Sequence, residues 1–219
     1  MLALLLALMG CPAEQLGIPV PATGVDAVSM EDLRRDLHAL TTGAAASPGP
    51  SGREARQRFV DERWRQMGLE VEGSCGHRAG VTEARIAVVS QPAPAGDRQG
   101  WAATALAITL AKAVHGLPTQ RLGAAFCVGE APPARWTLHL GRLGVGDDRW
   151  EPVVWEEVEV AAHVAGLRVE QVEPDDGDPD LRRLEELAQR LVPVIQEQLT
   201  GAPMGPTGVH SLLEQGRSW

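Results

Sequence analysis

Apolar positions along the chain alternate between two periods, and their order predicts a layered α/β domain. Met30, Leu33, Leu37 and Leu40 recur at helical spacing behind Ser29-Met30-Glu31-Asp32, a capping-box-like start, so a first helix is expected over Met30 to Leu40. A small-residue loop follows, and Ser51-Gly52-Arg53-Glu54 repeats the capping pattern before Ala55, Phe59, Val60, Trp64 and Met67. Gly68 is a natural stop for this second helix, after which Leu69-Glu70-Val71-Glu72 alternates like a strand with one buried face. Arg85 to Ser90 is short, apolar and β-branched, as expected of a strand covered on both faces. Trp101 to His115 is apolar on most sides of a helix, and Leu122 to Val128 and Trp136 to Leu140 read as two further strands. Val153-Val154-Trp155 and Leu167-Arg168-Val169 look extended, while Val158 to Val164 fits helix or strand equally. Asp178-Pro179-Asp180 then opens a last helix through Leu181, Leu184, Leu191 and Leu199, with a kink expected at Pro193. Strand, helix, strand with short links favours a mostly parallel or mixed central sheet with helices on both faces.

The first ten residues are nearly all apolar and end at Gly10-Cys11. A helical membrane span needs about 20 apolar residues to cross roughly 30 Å of hydrocarbon, so this run reads as a secretory leader. Leu8-Met9-Gly10-Cys11 resembles the bacterial lipobox, although no Lys or Arg precedes it. That resemblance implies cleavage after Gly10, a lipid on Cys11 and an envelope protein anchored to a bacterial membrane; a buried N-terminal helix is the alternative. The implied organisation is a leader over 1–10, a flexible tether over 11–28, a single domain over 29–200 and a loosely ordered tail over 201–219. With 44% hydrophobic residues, that domain can bury one sizeable core.

A formal charge of −9 with a single lysine, Lys112, leaves no basic stripe to neutralise phosphates, which argues against a nucleic-acid partner. Cys75 and Cys127 are candidates for a disulfide in an exported domain; two separate buried thiols are the alternative. Cys75-Gly76-His77 offers two nominal metal ligands without a partner pair at zinc-finger spacing, so a loop is expected there. The Asp175-Asp176-Gly177-Asp178 cluster lacks a calcium loop's spacing and terminal glutamate and reads as a solvated turn.

Several strings resemble the zinc-dependent exopeptidases of the aminopeptidase and glutaminyl cyclase type, peptidase family M twenty-eight. They are Gly52-Arg53-Glu54-Ala55 leading to Met67-Gly68-Leu69-Glu70-Val71, then Ile86-Ala87-Val88-Val89, Trp101 to Leu106, Phe126-Cys127-Val128-Gly129-Glu130 and Leu138-His139-Leu140-Gly141. The resemblance covers roughly Met30 to Gly144 plus the last helix. It implies a zinc-exopeptidase-like three-layer sandwich and places the expected ligands. Where the family has His-x-Asp, this chain has Gln91-Pro92-Ala93; Asp97 or Arg98 falls at the bridging carboxylate; Ala131 and Gly141 stand at two further ligands. Neither His163 nor His210 falls in the family's last histidine motif. Glu130 matches the general base, but a base beside water of pKa about 15.7 instead of about 7 has a far weaker nucleophile to activate. The expectation is a catalytically inactive aminopeptidase-like domain without a cofactor, acting by binding a protein or peptide partner or in envelope assembly. Alternatives are a weak or altered metal-dependent hydrolase using Glu130 with zinc held by Asp97 and His139, and an unrelated α/β envelope module.

Overall fold

The computed structural model describes residues 22–118, 120–140, 153–157 and 181–200. Four helices, α1 (Met30–Thr41), α2 (Pro50–Gln66), α3 (Arg98–His115) and α4 (Leu181–Leu199), accompany six strands. These are β1 (Glu70–Glu72), β2 (Cys75–Arg78), β3 (Arg85–Ser90), β4 (Gly123–Val128), β5 (Trp136–Leu140) and β6 (Val153–Glu157). They form one mixed sheet in the order β1-β2-β4-β3-β5-β6, with β4, β3 and β5 parallel at its centre and antiparallel pairs towards both edges. The α/β class read from the sequence is therefore present.

Alternation along the central strands divides the sheet into two apolar faces. Ile86, Val88, Ala124, Phe126, Trp136, Leu138 and Leu140 join all four helices in the larger core cluster. The opposite face carries the small residues Cys75, Ala87, Val89, Ala125 and Cys127, with Ala134 packed among them. All four described helices pack on the first face; among the described residues no helix joins the second cluster, where helices were also expected. Cys11, the tail beyond Thr200, the Asp175 to Asp178 cluster, His163, His210 and Leu167 to Val169 lie outside the described residues.

Local chemistry explains where the helices begin. The side chain of Ser29 accepts from Asp32 N, as the capping pattern foretold, and Glu185 of α4 accepts from Met30 N at 3.0 Å. For α2 the expected cap is displaced: Ser51 lies inside the helix, Pro50 occupies the first turn and Gly49 precedes it at φ 85°. Proline fixes a helical φ where no N–H is required, and glycine reaches the left-handed region without cost, so Gly49-Pro50 outcompetes Ser51. Gly68 does end this helix, at φ 69°. Residues Gly24–Ala27, within the stretch expected as a tether, form a 3-10 turn, and Ala27 and Val28 are buried in the main core.

The segment Cys75-Gly76-His77, expected to be a loop, is instead strand β2, paired with β1 and β4. Gly76 is required there because a Cβ would lie 2.7 Å from Trp64 Cγ and 3.0 Å from Leu69 Cδ1. Register places Cys75 directly opposite Cys127, with Cα atoms 4.1 Å apart, and the two form a disulfide.

Two ionic clips hold the helices to one another. Lys112 of α3 pairs with Asp32 of α1, and Arg63 of α2 pairs at 3.1 Å with Asp36 of α1, whose side chain is 1% exposed. Burial raises the Asp36 pKa despite the opposing pull of Arg63 and Arg35. One turn earlier, burial also pushes Asp32 upward, but Lys112 and Arg35 together outweigh it and hold that carboxyl below its ordinary value.

Candidate functional site

From β3 the chain runs through α3 to β4 on one side, while β5 lies against the other side of β3. The loop leaving β3 and the end of β5 diverge at such a reversal of strand order, which is where open α/β sheets form ligand crevices. A cavity of about 180 Å³ lies there, lined by Gln91, Pro92, Ala93, Pro94, Asp97, Gly100, Ala103 and Leu140. Asp97, Gly100 and Ala103 share one stripe at the start of α3. The close approach of this stripe to the loop depends on Gly100, since a Cβ there would strike that of Ala93.

Asp97 is the carboxylate in this lining, and its local role is visible. Its Oδ1 accepts from Gly100 N at 3.0 Å, so it is the N-cap of α3. Arg98, the other residue weighed for the bridging position, opens the helix immediately after it. The Pro94 carbonyl accepts from both Asp97 N, at 3.2 Å, and Trp101 Nε1, at 2.9 Å, fixing the cavity wall to the first turn of α3.

The other expected site residues do not converge on this cavity. Glu130 follows β4 in an exposed position and is absent from the lining. The preceding Gly129, at φ 97°, donates to Ser90 O at 2.8 Å and turns the chain past the end of β3. His139 pairs in register with Val89 and therefore occupies the small-residue face, opposite to Leu140 and the cavity. Cys75-Gly76-His77 belongs to the sheet, with Cys75 in the disulfide. His77 is held below its ordinary pKa by burial and by Arg85, whose Nη1 is 3.4 Å from His77 Nδ1.

A zinc pair needs nitrogen and oxygen donors meeting at about 2.0–2.2 Å. These side chains do not fit that requirement. Ala93 and Ala131 have no donor atom, Asp97 caps a helix, His139 lies across the sheet from the cavity, and Gly141 is outside the described residues. Among the described residues no three His, Cys, Asp or Glu side chains gather where a metal ion could be held.

One contributor to the site carries no sequence motif. Arg56 of α2 is 4% exposed and packs over Trp101, its guanidinium carbon 4.9 Å from the ring centroid. An arginine on a predicted helix gives no sign of burial; only the helical spacing of Arg56 with Gly52 and Val60, on the face that is buried, could have pointed to it. Comparison with known proteins adds no further residue to this site, because no protein-family model, no curated protein and no solved structure matches the chain.

Proposed function

We propose that this chain is a non-catalytic, aminopeptidase-like domain of a lipid-anchored envelope protein, and that it acts by binding a partner at the cleft beyond β3 and β5. The observation carrying this reading is the lining of that cleft. Ala93, Ala103, Leu140, Pro92 and Pro94 surround a cavity whose carboxylate caps a helix. At about 180 Å³ this apolar lining suits a single apolar side chain of a partner, below the size of the usual small-molecule pocket. Of the lining side chains only Asp97 is ionisable, and its Oδ1 is engaged in the cap of α3. The Cys75–Cys127 disulfide supports export, because such bonds persist in oxidising compartments. No helix among the described residues is long and apolar enough to cross a membrane, so attachment in this reading rests on Cys11.

Zinc titration followed by measurement of bound metal and of aminopeptidase activity tests the proposal. The expected result is no stoichiometric zinc and no metal-dependent turnover. Asp97→Ala should instead cost about 1 kcal/mol of stability, the usual value of a lost N-cap. Tight zinc that disappears in Asp97→Ala or Glu130→Ala would overturn the reading in favour of a metal-dependent hydrolase. Metabolic labelling with a fatty-acid analogue tests the anchor separately: an unlabelled chain with Cys11 intact removes the lipoprotein half of the proposal.

A further inference from the structure

A buried cation normally has a carboxylate beside it, because taking a guanidinium out of water costs several kcal/mol. Arg63 follows that rule through Asp36. Arg56 does not: no carboxylate among the described residues pairs with it, and the charged neighbour that acts on it, Arg53, has the same sign. Its side chain leans towards the start of α2, as helical side chains do, and its Nη1 donates to Ala45 O in the 3-10 turn Gly43–Ala46. Gly52, one turn earlier, is held so close to Ser47 O that a Cβ has no room. The same guanidinium covers the face of Trp101, where the negative ring quadrupole supplies the attraction that a carboxylate would otherwise give.

The edge of that ring completes a chain of contacts. Trp101 Nε1 donates to Pro94 O, and Pro94 is part of the cavity wall. Pro92 and Pro94 have no N–H, so this loop has few donors with which to anchor itself, and its Pro94 carbonyl accepts two hydrogen bonds, from Asp97 N and Trp101 Nε1.

The geometry points to Arg56 as a positioning residue for the cavity, acting through the face of Trp101 on the loop that carries Pro94 and linking the Gly43–Ala46 turn to the pocket. Its relevance to binding rests on the reading of the cavity as the ligand site; the mechanical link itself does not. A methionine at 56 would keep the apolar stem while removing the planar cation. A lysine would keep the charge without the flat stack, and a phenylalanine at 101 would keep the ring without its N–H.

Amide hydrogen exchange on the full chain, with xenon as an apolar probe followed at the Ala103 and Leu140 methyl groups, tests this. In Arg56→Met the Asp97 amide, which donates to Pro94 O, should exchange about tenfold faster, as expected when a cation–π contact securing a local closed state is lost. Amides of β4 and β5 should keep their wild-type rates, xenon should bind more weakly, Trp101→Phe should behave likewise, and Arg56→Lys should recover part of the protection. An unchanged Asp97 amide in Arg56→Met overturns the proposal. So does acceleration spread evenly over β4 and β5, which would make Arg56 a contributor to general stability alone. A wild-type chain that takes up no xenon while Asp97 exchange still responds to Arg56→Met would sink the cavity-binding reading and leave the mechanical link standing.

Discussion

Replacing both Cys75 and Cys127 by alanine removes a covalent tie between strands that the backbone already pairs, so the effect should fall mainly on the unfolded chain. The bond closes a loop across a sequence separation of 52 residues. Chain-entropy reasoning then assigns it about 14 cal/mol/K, or about 4 kcal/mol at 25 °C. Against a total stability of about 5–15 kcal/mol for a domain, this is a large share. The β2–β4 register, Cys75 opposite Cys127 and His77 opposite Ala125, should survive because its hydrogen bonds and the packing of Gly76 under Trp64 are untouched. Fluorescence of the buried Trp64 and Trp136 provides a readout of denaturant unfolding. The double variant should unfold at a lower midpoint with a steeper dependence on denaturant, since its unfolded state is freer to expand. At about 2–4 °C per kcal/mol, its thermal midpoint should fall by roughly 8–16 °C. The reasoning fails if the two midpoints coincide, or if thiol titration of the folded wild type finds two free cysteines before any reductant is added.

Gly76→Ala tests the close packing of β2 on α2: a Cβ 2.7 Å from Trp64 Cγ should cost about 1–3 kcal/mol in urea unfolding, and a neutral result would mean that Trp64 moves aside freely. Asp36→Asn tests the buried carboxylate. Because the folded-state pKa of Asp36 is raised, its contribution is fully present below the unfolded value, near 3.8, and is lost as pH rises through the folded value. The Asn variant, which resembles the protonated form, should therefore gain stability relative to wild type as pH climbs through that window, and a difference that is flat with pH refutes this. Asp32→Asn should show the opposite trend, since the wild-type advantage of a carboxyl held low by Lys112 and Arg35 is lost only as pH falls through its folded value.

Long periodic segments were legible in the sequence because a single physical cause dominates each of them. β3 and β5 carry apolar runs bounded by turn formers and appear at the expected residues, while α1 and α4 show one apolar stripe each. β2 was missed because its sheet position depends on tertiary contacts: glycine disfavours a strand locally, yet Gly76 is what lets Trp64 sit on the sheet. Asp97 was read as a candidate metal ligand, although Asp97-Arg98-Gln99-Gly100 also carries the spacing of a side-chain cap to the third helical N–H. Arg56 could not be singled out, since its acceptor lies in the turn before α2 while the ring and loop belong to the segment around the start of α3. The absence of ligand-bearing side chains at Ala93 and Ala131 was plain from the residues alone, whereas the separation of His139 from Leu140 by the plane of the sheet needed the strand register.

The margin of the sheet formed by β1 has a consequence for how copies of this chain meet. That strand is three residues long, and its exposed Glu70 and Glu72 flank Val71. Another copy brought alongside would set carboxylates against carboxylates over a backbone stretch too brief to repay the repulsion, so growth by adding strands is disfavoured on this flank.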